Sequence, residues 1–123
     1  MANILIVDDD DAVRGILLDL LSEKYECNTA SSAEEAFQFL EIEDYDVVLT
    51  DIAMPGLTGI ELLKRIQLKD LEMPVIFISG KNGDHDPDGL VKLGAFAYVR
   101  KPFGLEEIEY LVERAVKAGQ RPA

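Results

Sequence analysis

Cysteine occurs once among the 123 residues, as Cys27. One thiol rules out an internal disulfide, and a reducing compartment is the simpler expectation; Cys27 itself reads as a small buried strand residue. Basic residues are scarce, with 12 Lys and Arg against 24 Asp and Glu and a formal net charge of −12. Phosphate contacts need clustered cations, so no direct nucleic acid binding and no docking on an anionic membrane are expected of this domain. No apolar stretch approaches the roughly 20 residues of a membrane span. The first apolar run is short and ends in four aspartates, unlike a secretion signal, so a cytoplasmic location is expected. His85 is the only histidine; in a Gly/Asp/Pro segment it reads as solvated and not catalytic. After the first apolar run there is no loop rich in Gly, Ser and Thr to cradle a phosphate, and Asp8 to Asp11 stand there instead.

The composition that remains is that of an ordered domain, 48% apolar and 29% charged. A chain of this length buries a sizeable core as one domain, taken as residues 1–123. Strand and helix signals alternate throughout. Asn3 to Val7 is a short β-branched run, followed by Val13, Ile16, Leu17, Leu20 and Leu21 at helical spacing, which predicts a helix from about Ala12 to Glu23. Tyr25 to Thr29 is a weak strand. Ser32 and Glu35 form a capping box ahead of Ala36, Phe37 and Leu40. The strand Asp46 to Thr50 leads to a loop, Asp51 to Leu57, and Thr58 with Glu61 caps a helix burying Leu62, Leu63 and Ile66. Pro74 opens a fourth strand, Tyr98 and Val99 lie in a fifth, and Leu105 to Lys117 is the last helix. Between Ser79 and Leu90 the Gly and Pro content delays the fourth helix, which is predicted to start near Asp86 or Pro87 and stay short. Such alternation predicts a parallel sheet covered on both faces.

If the strands are parallel neighbours, their carboxyl ends share one edge, where open α/β folds bind ligands. That edge gathers Asp8 and Asp9, Asp51, Ser79 and Lys101. Crowded carboxylates repel, and a divalent cation such as Mg²⁺ relieves the repulsion through oxygen ligands shared with phosphate. A carboxylate beside such a cation is a competent nucleophile toward phosphorus. Asp10 and Asp11, at a helix start, read as caps and dipole partners.

In order along the chain stand Asp8-Asp9, Asp51 with Met54-Pro55-Gly56 and Gly59, Ser79-Gly80, Gly94-Ala95, and Tyr98 leading to Lys101-Pro102-Phe103. This series resembles the receiver domain of two-component response regulators over essentially the whole chain. The resemblance implies a flavodoxin-like, open five-stranded parallel sheet of order 2-1-3-4-5. It implies that Asp51 is the phosphoacceptor, receiving a phosphoryl group from a sensor histidine kinase or a histidine phosphotransfer protein. It further implies that Asp8, Asp9, Asp51 and the main-chain carbonyl of Ala53 hold Mg²⁺ (or Mn²⁺), and that Lys101, before a cis bond to Pro102, pairs with the phosphoryl group. Ser79 and Tyr98 would then shift together and remodel the face formed by the fourth helix, fifth strand and fifth helix toward a downstream effector domain or protein. Ala53 and Lys81 would tune the lifetime of the phosphoryl group, which the domain removes slowly by itself.

Two other readings fit parts of the pattern. A Mg²⁺-dependent phosphatase of small metabolites would also use an aspartyl phosphate, with a second acid two residues past the nucleophile; Ala53 stands there. A flavodoxin-like binding module would need the phosphate loop that Asp8 to Asp11 replace.

Overall fold

The computed structural model describes residues 1–69, 72–80 and 87–119. Among these, strands β1 (Asn3–Val7), β2 (Glu26–Ala30), β3 (Val47–Asp51), β4 (Val75–Ser79) and β5 (Ala97–Arg100) alternate with helices α1 (Asp11–Leu21), α2 (Ala33–Ile42), α3 (Gly59–Leu68), α4 (Pro87–Lys92) and α5 (Leu105–Gly119). All pairings are parallel and the order is β2-β1-β3-β4-β5, the flavodoxin-like sheet expected of the sequence. The inner strands read ILIV, VVLTD and VIFIS because both their faces are covered. Side chains alternate between the faces. Leu5, Val7, Val48 and Phe77 pack with Ala36, Leu62, Ile66 and Leu90 on one side. Ile4, Ile6, Leu49 and Ile78 pack with Leu17, Leu21 and Val112 on the other. Each wholly buried Ile or Leu contributes about 2 kcal/mol, enough in sum to fix the register.

Several boundaries differ from the sequence expectation for physical reasons. α1 starts at Asp11 because the Asp10 carboxylate accepts from the Ala12 amide at 2.8 Å. It ends at Leu21, whose carbonyl accepts from Lys24 and Tyr25 in a closing turn. Ile16, expected inward, is 49% exposed. β3 runs one residue later than expected and takes in Asp51, which pairs in register with Ile78. Cys27 is half-buried, since β2 is an edge strand. Burial and the nearby Glu26 push its thiol pKa up to about 11, which makes it inert. α4 is six residues long and begins at Pro87; Asp86, Lys81 and His85 lie outside the described residues.

Candidate functional site at the carboxyl edge of the sheet

The parallel register delivers the polar residues to one edge. Asp8 follows β1, Asp51 ends β3, Ser79 ends β4 and Lys101 follows β5. Asp8, Asp51 and Ser79 are 1%, 6% and 2% exposed, whereas Asp9 is exposed. The Lys101 amide donates to the Ser79 carbonyl at 2.6 Å, which extends the β4–β5 ladder by one residue. The Lys101–Pro102 bond is cis. From there the Lys101 ammonium reaches Asp8 Oδ2 at 3.0 Å and Asp51 Oδ2 at 3.5 Å. Carboxylate oxygens of Asp8, Asp9 and Asp51 lie within 4.8 Å of one another.

Among the described residues, three carboxylates against one ammonium leave the edge with excess negative charge. Burial raises the pKa of Asp51, the neighbouring Asp8 charge raises it further, and Lys101 only partly offsets both. Burial works against the charge on Lys101, but its hydrogen bond to Asp8 and the Asp51 charge outweigh that and raise its pKa. The donor set is all oxygen, crowded and underneutralised. It therefore fits a hard divalent cation, which takes such ligands and needs neither thiolate nor imidazole.

Local structure holds the carboxylates in place. Asp8 Oδ1 accepts from the Asp10 amide at 2.9 Å, and the Asp8 amide donates to Ala30 at 3.1 Å. Beyond Asp51, the Gly59 amide donates to Ile52 at 2.9 Å. A Cβ at Gly59 would lie 2.2 Å from the Asp51 main-chain oxygen, so only glycine lets α3 start this close to the strand end. The Thr58–Glu61 capping box expected from the sequence is complete. Its counterpart at α2 is displaced, because Ser32 accepts from the Glu35 amide while the Glu35 carboxylate accepts from Ser31.

Two side chains near the site, and a third at the far end of α3, escaped the sequence reading. Arg14 donates to the main-chain carbonyl of Asp8 and to the Asp11 carboxylate. Glu34 accepts from the Leu57 amide at 3.1 Å. Gln67 donates to the Leu93 carbonyl at 2.7 Å, tying α3 to the end of α4. For Arg14, a cation one turn after an acidic cap was a usable signal; Glu34 and Gln67 have distant partners and gave none.

The other expected residues are placed unevenly. The Ser79 hydroxyl donates to the adjacent Gly80 carbonyl at 3.3 Å, not to the acidic cluster. Tyr98 is half-buried against the α2–α3 core, and its hydroxyl is buried without a hydrogen-bond partner among the described residues. Ala53 is exposed in the loop after β3 and offers only a methyl side chain. A groove of about 690 Å³, lined by Val13, Ile16, Pro102, Phe103 and Leu105, opens beside Lys101. Among the described residues, no helix is long and apolar enough to cross a membrane.

A 2-1-3-4-5 parallel sheet whose carboxyl edge joins an acidic cluster to a lysine is the arrangement of a signalling receiver domain. The chain belongs to the response regulator receiver domain family, whose pattern matches residues 4–113. It is 37% identical over 112 residues to the DNA-binding transcriptional regulator NtrC of Klebsiella pneumoniae, covering 90% of this chain and 24% of that protein. It is 34% identical over 109 residues to the response regulator SaeR of Staphylococcus aureus, covering 88% and 47% respectively. The chain thus spans about a quarter of the first relative and about half of the second. A receiver domain from Clostridium thermocellum superposes with a TM-score of 0.88 at 32% identity, over 96% of each chain. A Francisella receiver domain gives 0.90 at 27%, over 98% of this chain and all of the other.

Proposed function

We propose that residues 1–123 form a single receiver domain acting as a phosphorylation-controlled switch, with Asp51 as the phosphoacceptor. The observation that carries this reading is the Lys101 ammonium between Asp8 and Asp51, at 3.0 and 3.5 Å, inside the three-carboxylate cluster. Asp8, Asp9, Asp51 and the main-chain carbonyl of Ala53 would hold Mg²⁺ or Mn²⁺. Bound there, the cation would supply positive charge to the oxygens of the transferring phosphoryl group. A carboxylate oxygen of Asp51 attacks phosphorus of a phosphohistidine on a sensor histidine kinase or histidine phosphotransfer protein. The O–P bond forms as the P–N bond breaks, and the departing imidazole keeps the electron pair. Lys101 follows the negative charge from Asp8 onto the phosphoryl oxygens. Later attack by water at phosphorus returns the carboxylate and inorganic phosphate, slowly, because Ala53 brings no base or hydrogen-bonding side chain to orient that water.

Ser79 would reorient its hydroxyl, now spent on a weak local bond, toward the phosphoryl oxygens. Tyr98, whose hydroxyl has no hydrogen-bond partner among the described residues, has little to lose by moving with it. The face of α4, β5 and α5 would then change its affinity for a downstream effector domain or protein. The apolar groove beside Lys101 suits an apolar segment of the phosphodonor. We assign the domain to the cytoplasm, with regulation and not metabolite turnover as its role. The small-molecule phosphatase reading is not favoured, since Ala53 lacks the second acid and the relatives are regulators.

Incubation with Mg²⁺ and acetyl phosphate should add one phosphoryl mass to the protein, and a chelator should prevent it. Asp51→Asn should stay unlabelled. Equal labelling of that variant would remove Asp51 from the role.

A further inference from the structure

The loop from Ile52 to Thr58 carries Ala53 and joins the Asp51 strand to α3. Its two ends are pinned by main-chain bonds, from the Ile52 amide to Ile78 at 3.3 Å and from the Gly59 amide to Ile52 at 2.9 Å. Between them, among the described residues, one hydrogen bond holds the main chain of residues 53 to 57: the Leu57 amide donates to Glu34 Oε1 at 3.1 Å. Glu34 sits in the first turn of α2, a helix fixed by the Ser32 cap and by buried Ala33, Ala36 and Leu40. Gly56 adds a second contact. Its φ of +81° favours glycine, and a Cβ there would lie 3.1 Å and 3.3 Å from the two Glu34 carboxylate oxygens. The loop passes Glu34 closely enough that the carboxylate fills the space a side chain would take.

We propose that Glu34 is a positioning residue for the divalent-cation site: it clamps the Leu57 amide and so holds the loop that presents Ala53. The inference rests on the receiver reading above, because it gives Ala53 a ligand's place. A helix-start glutamate needs no such role, since it already favours the positive end of its helix. The clamp differs from that bland role in one respect. It depends on an acceptor oxygen at the Leu57 amide, not on negative charge.

The test uses the intact chain as wild type, Glu34→Ala and Glu34→Gln, with Mg²⁺ binding measured by calorimetry. Hydrogen exchange at Leu57 is followed in the metal-free proteins. Glu34→Ala should speed exchange at Leu57 and weaken Mg²⁺ binding by about tenfold, the lower range for loss of an outer partner of a metal site. Glu34→Gln keeps the acceptor and should restore most of both. Unchanged exchange and affinity in Glu34→Ala would overturn the clamp, as would Glu34→Gln behaving like Glu34→Ala. A wild-type protein that binds no Mg²⁺ would overturn the receiver reading and this inference with it. Normal wild-type binding beside an indifferent Glu34→Ala would sink the inference alone.

Discussion

Asp46, the residue just before β3, and Asp51, its last residue, bracket one strand, and their surroundings differ in kind. At the amino end, the Asp46 carboxylate accepts from the Asn3 amide at 2.7 Å, and the Asp46 amide donates back to Asn3 at the same distance. The Asn3 side chain donates to the Asp44 carbonyl at 3.2 Å, and the Tyr45 hydroxyl donates to Asn28 at 2.9 Å. Polar groups there answer one another and close the fold. At the carboxyl end, among the described residues, three carboxylates share one ammonium, the Ser79 hydroxyl donates to its neighbour's carbonyl, and the Tyr98 hydroxyl has no partner. The strand is thus entered through satisfied bonds and ends in charge that its described neighbours only partly neutralise. Local rules are broken at the end where chemistry is proposed.

The contrast is tested most severely at Lys101. If its ammonium is what makes the carboxyl edge tolerable, Lys101→Ala should cost about 3 kcal/mol of stability without metal, the lower range for a buried charge left unpaired. Urea unfolding would read this as a lower midpoint at unchanged slope. Mg²⁺ should return part of the loss, since a divalent charge replaces the missing one. A variant as stable as the wild type would show that the two carboxylates do not need the lysine, and the contrast between the strand ends would fail.

A smaller effect follows from Asp51 itself, whose folded pKa is raised above its ordinary value of 3.8 by burial and then by Asp8. A carboxyl group with a raised folded pKa binds protons more tightly folded than unfolded. Its contribution to stability therefore falls as pH climbs from the unfolded value through the folded one, and stays low above. Asparagine mimics the protonated group, so the stability of metal-free Asp51→Asn relative to wild type should grow over that window and level off above the folded value. Added Mg²⁺ at pH 7 should favour the wild type. At a concentration about ten times Kd the gain is about 1.4 kcal/mol. Parallel melting curves of the two proteins at acidic and neutral pH, with and without Mg²⁺, would check both signs. A constant difference across pH would mean that the site is not under charge strain.

Much of this edge was legible in the sequence, and the reason differs from element to element. β1, β3 and β4 announce themselves as apolar runs because both faces are buried, and each run leads to a polar residue at the carboxyl edge: Asp8, Asp51 or Ser79. β2 was faint because it is an edge strand, with Glu26 exposed. The strand order came from the family likeness, since periodicity says which segments are strands but not which are neighbours. The one-residue shift that puts Asp51 on β3 was hidden because an acidic residue reads as loop. Glu34 and Gln67 were invisible for a stricter reason. Their partners lie 23 and 26 residues away, and each looks locally like an ordinary solvated helix side chain. Ser79 was named correctly as an edge residue, but its present hydrogen bond to Gly80 could not be read from type and position.

The mildest prediction sharpens the contrast from its quiet end. Asp46→Ala removes the acceptor for the Asn3 amide and should cost up to about 1 kcal/mol, as expected of one exposed hydrogen bond. It should leave Mg²⁺ binding almost untouched at physiological salt. Asp46 and Asp51 are separated by the length of β3, roughly 16 Å at about 3.3 Å per residue, which is twice the screening length of about 8 Å at that ionic strength. Lowering the salt should reveal a small loss of Mg²⁺ affinity, because a removed negative charge no longer attracts the cation across the strand. Calorimetry at two salt concentrations would measure it. An Asp46→Ala protein with strongly impaired Mg²⁺ binding at physiological salt would mean that the two ends of β3 are coupled through the fold and not merely through space.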